Sequence, residues 1–156
     1  MREHLKNLKP TSIKDLSAMN ALYRPGPMEF IETFIKRKQG KEKIVYDHHI
    51  LEPILAETYG IIVYQEQVIK LANQVAGMSL ADADNLRRAM GKKDLVAMKE
   101  QRQIFIEGAK ETNGISEKIA SEIFDNIDKF AKWGFAAAAA AAAADIVKTF
   151  ELAKYC

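Results

Sequence analysis

Cysteine is almost missing from this chain. The single one, Cys156, stands at the last position. It excludes an internal disulfide and makes a reducing compartment the expected setting. Long apolar runs are missing as well: nothing approaches the roughly 18 residues of a membrane span once a tract of alanines is set aside. No membrane partner is expected. The opening Met1-Arg2-Glu3-His4 has no signal-peptide core, so the cytoplasm is the expected location. A strong charge of one sign is also lacking. The net charge of +2 argues neither for nor against a nucleic-acid partner; only local clustering can. No Ser-His-Asp, Cys-His or P-loop constellation is present. What remains is a chain of 156 residues, 48% hydrophobic and 28% charged, which is enough for one globular domain with a real core.

The patterning is that of helices. Residues 1–10 read as a short helix and a linker. Ser12 and Asp15 have the S-x-x-D spacing of a helix start, and the helix is expected over Ile13–Leu22. Tyr23-Arg24-Pro25-Gly26-Pro27 forces a rigid turn, with Pro27 suited to open the next helix. Phe30, Ile31, Phe34 and Ile35 then make a core-facing stripe. Residues 39–49 read as a loop, and 51–57 as a short helix that tolerates Pro53 in its first turn. The β-branched stretch 60–64 could be briefly extended. Gln65–Ala76 is helical, with Val68, Leu71, Ala72 and Val75 on one face and Gly77 ending it. A helix follows from Ser79, the expected N-cap, to about Met90, with Gly91 in the left-handed position that ends it. From Asp94 the chain is helical to about residue 112, with Leu95, Met98, Phe105 and Ala109 near one face. Asn113-Gly114 stops it and Ser116 caps the next. Ile119, Ala120, Ile123, Phe124, Ile127, Phe130 and Ala131 complete a 3.6-period stripe. The expected fold is therefore mainly α, a multi-helix domain with at most a short extended segment near 60–64.

One cluster of charge stands out. Arg87, Arg88, Lys92 and Lys93 fall within seven residues that contain no acid. At the end of a helix the macrodipole favours cations, and that alone accounts for the two arginines as well as a ligand would. Lys92 and Lys93 fit this account less well. They precede Asp94, the expected N-cap of the following helix, whose N-terminus is partly positive. An anion there would offset the repulsion, with Arg forks grasping oxygens and Lys acting as point charges, as in a polyphosphate cradle. Lys36, Arg37 and Lys38 close an earlier helix. The dipole explains them first, and contact with a nucleic-acid backbone second.

Metal chemistry finds little support. His48, His49 and Glu52 lack a further ligand at a zinc spacing. Asp82 and Asp84 resemble a D-x-D pair, but residues two apart on a helix point about 200° from each other. Asp125 and Asp128 could converge, yet occupy the expected solvent face. No catalytic residue and no metal ligand is assigned to this chain.

Three stretches carry a resemblance. Ala21-Leu22-Tyr23-Arg24-Pro25-Gly26-Pro27-Met28 is the first, and Glu57-Thr58-Tyr59-Gly60-Ile61-Ile62-Val63-Tyr64-Gln65-Glu66-Gln67-Val68 the second. The third is Leu86-Arg87-Arg88-Ala89-Met90-Gly91-Lys92-Lys93. In order and spacing they closely resemble the fingers region of the bacterial replicative DNA polymerase III alpha subunits, which are C-family DNA polymerases. The resemblance runs over residues 1–135. It implies a mostly helical fingers domain of a DNA-directed DNA polymerase. The partners it implies are the incoming deoxynucleoside triphosphate, template-primer DNA, the other polymerase domains and further replisome subunits. The family's Mg2+ ions are held by aspartates of a palm domain that has no counterpart here, so the chain alone is expected to be inactive. By the same resemblance Arg87, Arg88, Lys92 and Lys93 would face the triphosphate. Arg24 would buttress its turn or touch DNA, with Lys36, Arg37 and Lys38 as further candidate DNA contacts. Tyr64, Gln65 and Glu66 match a family motif without a definite chemical role.

The chain departs from the family after Gly134-Phe135. Where the family continues with an Asn-Lys-Ser-His type segment, residues 136–144 are all alanine, the best helix former. Residues 145–156 resume an amphipathic pattern that does not align with the family. The alternative function is a non-enzymatic helical module that binds nucleic acid or another protein.

Overall fold

The structure is a computed structural model, and it describes residues 1–132. The alanine tract 136–144 and the helix expected over 145–155 lie outside the described residues.

The described residues fold into eight α-helices: α1 (Arg2–Leu8), α2 (Ile13–Leu22), α3 (Ile31–Lys38), α4 (Glu52–Leu55), α5 (Gln65–Ala76), α6 (Leu80–Lys92), α7 (Leu95–Asn113) and α8 (Glu117–Lys132). Short 3-10 turns at Pro27–Phe30, His49–Leu51 and Ala56–Thr58 flank α3 and α4. There is no strand among them. The expected extended segment reduces to an irregular, buried Ile61-Ile62-Val63 and one bridge residue at Tyr64. No described helix is long and apolar enough to cross a membrane.

Local chemistry explains most boundaries. Ser12 and Asp15 form the reciprocal capping box at the start of α2. Ser79 caps α6, but Asp82 takes the Ser79 hydroxyl at 2.6 Å, so the box there is not reciprocal. The helix expected over 51–57 is broken into α4 and two 3-10 turns, because Tyr59 takes a left-handed conformation (φ 52°) directly after it. At Gly60 the chain passes so close to Ile44 and Arg37 that a side chain would meet them, and its φ of 80° also favours glycine.

Helix α5 is the centre of the core. Val68, Leu71, Ala72 and Val75 are fully buried, and α4, α6 and α7 pack around it. Helix α7 approaches most closely at Gly108, where a Cβ would overlap the carbonyl oxygen of Ala76. Asn113, at the end of α7, donates to the carbonyls of Gln74 and Val75 and so satisfies the exposed end of α5. Arg102 of α7 bonds Asp125 and Ser121 of α8, and Phe105 meets Phe124 at 5.5 Å between ring centroids. The stripe on α8 is buried as expected, with only Ile119 half-buried.

Two expectations fail at the α6–α7 corner. Gly91 does not end the helix: it is right-handed and helical, and Lys93 takes the left-handed place instead (φ 55°). The reason lies in the neighbouring cap. Asp94 starts α7, so the reversal must fall immediately before it. The Lys93 N–H donates to Met90 O at 3.1 Å and the Asp94 N–H to Ala89 O at 3.2 Å. These bonds offset a left-handed cost of about 1–2 kcal/mol for a residue with a Cβ. Arg87 and Arg88 consequently lie before the last turn, where only Lys92 is basic. Leu95, expected near the face of Met98, Phe105 and Ala109, is 75% exposed, because α7 reaches the core only from Ala97 onward.

Candidate functional site

The longer α6 and its cap residue Lys93 bring four cations onto one concave surface. Arg87, Arg88, Met90, Gly91, Lys92 and Lys93 line a cleft of about 230 Å3 together with Gln65 from the first turn of α5 and Ala131 from α8. Leu86, Ala89 and Met90 are buried and fix the helix against the core, Met90 also forming part of the cleft wall. Arg87, Arg88 and Lys92 thus start from a packed helix, and Lys93 from the turn that follows it.

An acid organises the two arginines. Arg87 Nε donates to Asp84 Oδ1 at 2.8 Å, and Arg88 Nε forms an ion pair with Asp84 Oδ2 at 2.8 Å. The Arg87 hydrogen bond, reinforced by both positive charges, holds the Asp84 carboxyl below its ordinary range.

Lys92 and Lys93 are exposed and form no ion pair among the described residues. Asp94 accepts from the N–H groups of Val96 and Ala97, both at 3.1 Å, so the first donors of α7 are already satisfied. An anion at this corner would be drawn by side-chain cations, not by the free end of α7.

The other predicted residues lie elsewhere. Arg24 Nε donates to the Ala21 carbonyl within its own turn. Lys36 pairs with Glu32, and the bond raises the ammonium and lowers the carboxyl from their ordinary values. Arg37 bonds Glu42 and the Tyr59 carbonyl, and lines a separate cavity with Phe30, Tyr46 and Ile62. Lys38, almost covered, points at Asp15, Thr11 and the Lys9 carbonyl. Arg37 and Lys38 therefore tie loops to α3. His48 and His49 stack with ring centroids 4.2 Å apart, and His48 Nδ1 accepts from the Ile50 N–H. Asp125 and Asp128 pair with Arg102 and Lys132.

Tyr64, Gln65 and Glu66 separate into distinct places. Tyr64 precedes α5, and burial pushes its phenol up to about 12. Gln65 reaches the cationic cleft, and Glu66 is exposed. Gln67, to which the sequence alone assigns no role, holds the group in place. Its Oε1 accepts from the N–H groups of Val63 (2.8 Å) and Tyr64 (3.0 Å), and its Nε2 donates to Thr58 Oγ1 (2.7 Å). A glutamine three residues after an N-cap is the signal that points to it. For Asp84 the signal is its i,i+3 and i,i+4 spacing to the two arginines.

Comparison with known proteins follows the same residues. A model of the bacterial DNA polymerase III alpha subunit finger domain matches residues 1–113, which include the whole cationic corner. The chain is similar to the DNA polymerase III subunit alpha of Chlamydia muridarum, with 53% identity over 142 residues, 91% of this chain and 11% of that protein. The subunit of Staphylococcus epidermidis is 51% identical over 135 residues, 86% of this chain and 13% of that protein. That of Deinococcus radiodurans is 52% identical over 137 residues, 83% of this chain and 10% of that protein. The chain spans about a tenth of the length of these relatives.

Proposed function

Because the chain belongs to the finger-domain family of bacterial DNA polymerase III alpha subunits, we propose that it supplies the fingers of a replicative DNA-directed DNA polymerase and that its α6–α7 corner receives the triphosphate of the incoming deoxynucleotide. The observation that supports this is the convergence of Arg87, Arg88, Lys92 and Lys93 on one cleft. A triphosphate offers paired oxygens to guanidinium forks and accepts lysines as point charges. Cations fixed around the leaving pyrophosphate orient the nucleotide and stabilise the charge that develops on transfer. Template-primer DNA is the second ligand in this reading, and the other polymerase domains and replisome subunits are the protein partners, in the cytoplasm.

The carboxylates of α6 do not fit Mg2+. Asp82 accepts the Ser79 hydroxyl and Asp84 is bridged by two guanidiniums. The reading therefore assigns the metal ions to the palm and no catalytic step to this chain.

The test is binding of a labelled deoxynucleoside triphosphate to the chain and to an Arg87→Ala/Arg88→Ala variant, with circular dichroism as the check on folding. The double substitution is expected to weaken binding by more than about 2 kcal/mol, the scale of charge-assisted hydrogen bonds. Unaffected binding would remove the site from these arginines. Equal affinity for mono- and triphosphate, with strongly salt-dependent DNA binding, would favour a non-enzymatic nucleic-acid module.

A further inference from the structure

Asp84 lies beside the cleft but does not line it. Each guanidinium has five N–H donors, one on Nε and four on the two Nη atoms. Asp84 accepts the Arg87 Nε–H at 2.8 Å, and its other oxygen pairs with the Arg88 Nε at 2.8 Å. The carboxylate thus lies against the Nε side of both forks, and the Nη1/Nη2 end of each is left over. None of the described residues accepts from those Nη atoms. Two adjacent arginines would otherwise repel and sample many rotamers; the shared carboxylate removes both tendencies at once.

The arrangement contributes little as a stabilising device. Ion pairs on one helix at i,i+3 and i,i+4 are weak when solvated, and Arg88 is 66% exposed. As a bystander it would be counterproductive, because a carboxylate near an anion site repels the anion.

We infer that Asp84 is a positioning residue: it clamps Arg87 and Arg88 by their Nε atoms so that their Nη ends meet a polyphosphate side by side. This rests on the nucleotide reading given above. It also fixes the sign of an experiment. A bystander carboxylate, once neutralised, leaves a more positive site that binds triphosphate more tightly. A clamp, once neutralised, leaves disordered arginines that bind it less tightly.

The experiment is equilibrium binding of dATP to the full 156-residue chain, to Asp84→Asn and Asp84→Glu, and to Arg87→Ala/Arg88→Ala. Unfolding midpoints and the arginine Nε–Hε resonances are followed in parallel. Asp84→Asn is expected to weaken dATP binding about tenfold or more, the scale of one charge-assisted hydrogen bond, despite removing a negative charge. Its midpoint should stay at the wild-type value, and the Nε–Hε signals of Arg87 and Arg88 should move to the position of free arginines. Asp84→Glu, which keeps the carboxylate, should restore most of the affinity and the signals. An Asp84→Asn chain that binds dATP as tightly as wild type, or more tightly, overturns the clamp and leaves the nucleotide site standing. A folded wild-type chain that fails to bind dATP overturns the nucleotide reading and this inference together.

Discussion

Asp15 shows how much a single carboxylate holds here. It is 4% exposed, and burial by itself would raise its carboxyl. The Thr11 N–H (2.9 Å), the Tyr59 hydroxyl (3.1 Å) and the Lys38 ammonium (3.4 Å) together outweigh burial, so the carboxyl lies below its ordinary value. The sign of the pH dependence follows. A depressed carboxylate contributes its stability fully above the unfolded value of about 3.9 and loses it as pH falls through the lower folded value. Asp15→Asn should therefore cost about 2–3 kcal/mol at pH 7, part of it from leaving Lys38 without its charge partner. The deficit should shrink toward pH 2–3, as the wild-type carboxylate itself protonates. Urea denaturation at both pH values reads this, and a deficit that does not change with pH would exclude the charge as the cause. The Ser12-to-Asp15 spacing made the cap legible in the sequence. The bonds to Tyr59 and Lys38 were not, because they come from distant elements and leave no periodic trace. Gln67 received no role from the sequence, although its spacing from Tyr64 signals a cap, and nothing local signals its bond to Thr58.

Among the helices, α2 and α5 have the boundaries that capping and periodicity predict, residue for residue. The exit of α6 does not. The rule that glycine ends helices pointed to Gly91, but the cap of α7 at Asp94 set the reversal at Lys93. Glycine substitutions separate these cases. Gly91 is right-handed with open space where a Cβ would sit, so Gly91→Ala should stabilise by about 0.5–1 kcal/mol through helix propensity and a less flexible unfolded chain. Were Gly91 left-handed, the same change would destabilise. Gly108→Ala offers the contrasting outcome. Its propensity gain is similar, but the new methyl overlaps the Ala76 carbonyl, a backbone atom that cannot rotate away. A net loss of about 1–3 kcal/mol is expected as α7 is pushed from α5. Denaturation midpoints of the two variants measured side by side should move in opposite directions.

At the scale of the whole molecule, the candidate site depends on how α6 packs against both α5 and α8. The four cations were legible as a cluster because they are contiguous. Gln65 and Ala131, which complete the cleft, come from other helices and are brought in only by the fold. This dependence predicts where the molecule opens last. Amides of α5 are shielded by a face with no solvent exposure at Val68, Leu71, Ala72 and Val75, and their helix is enclosed by α4, α6 and α7. Helix α1 buries only Leu8. Local opening free energies follow buried apolar contact, from near zero at weakly packed ends up to the global value in the core. Hydrogen exchange should therefore find the amides of Leu71, Ala72 and Val75 protected to the full unfolding free energy, and those of α1 protected far less. Leu71→Ala, which empties a fully buried position, should lower the α5 protection by about 2–5 kcal/mol and reduce α6 protection with it. If α6 instead kept its protection when α5 lost it, the cationic corner would be an independently stable unit. Its geometry would then not derive from the α5 core.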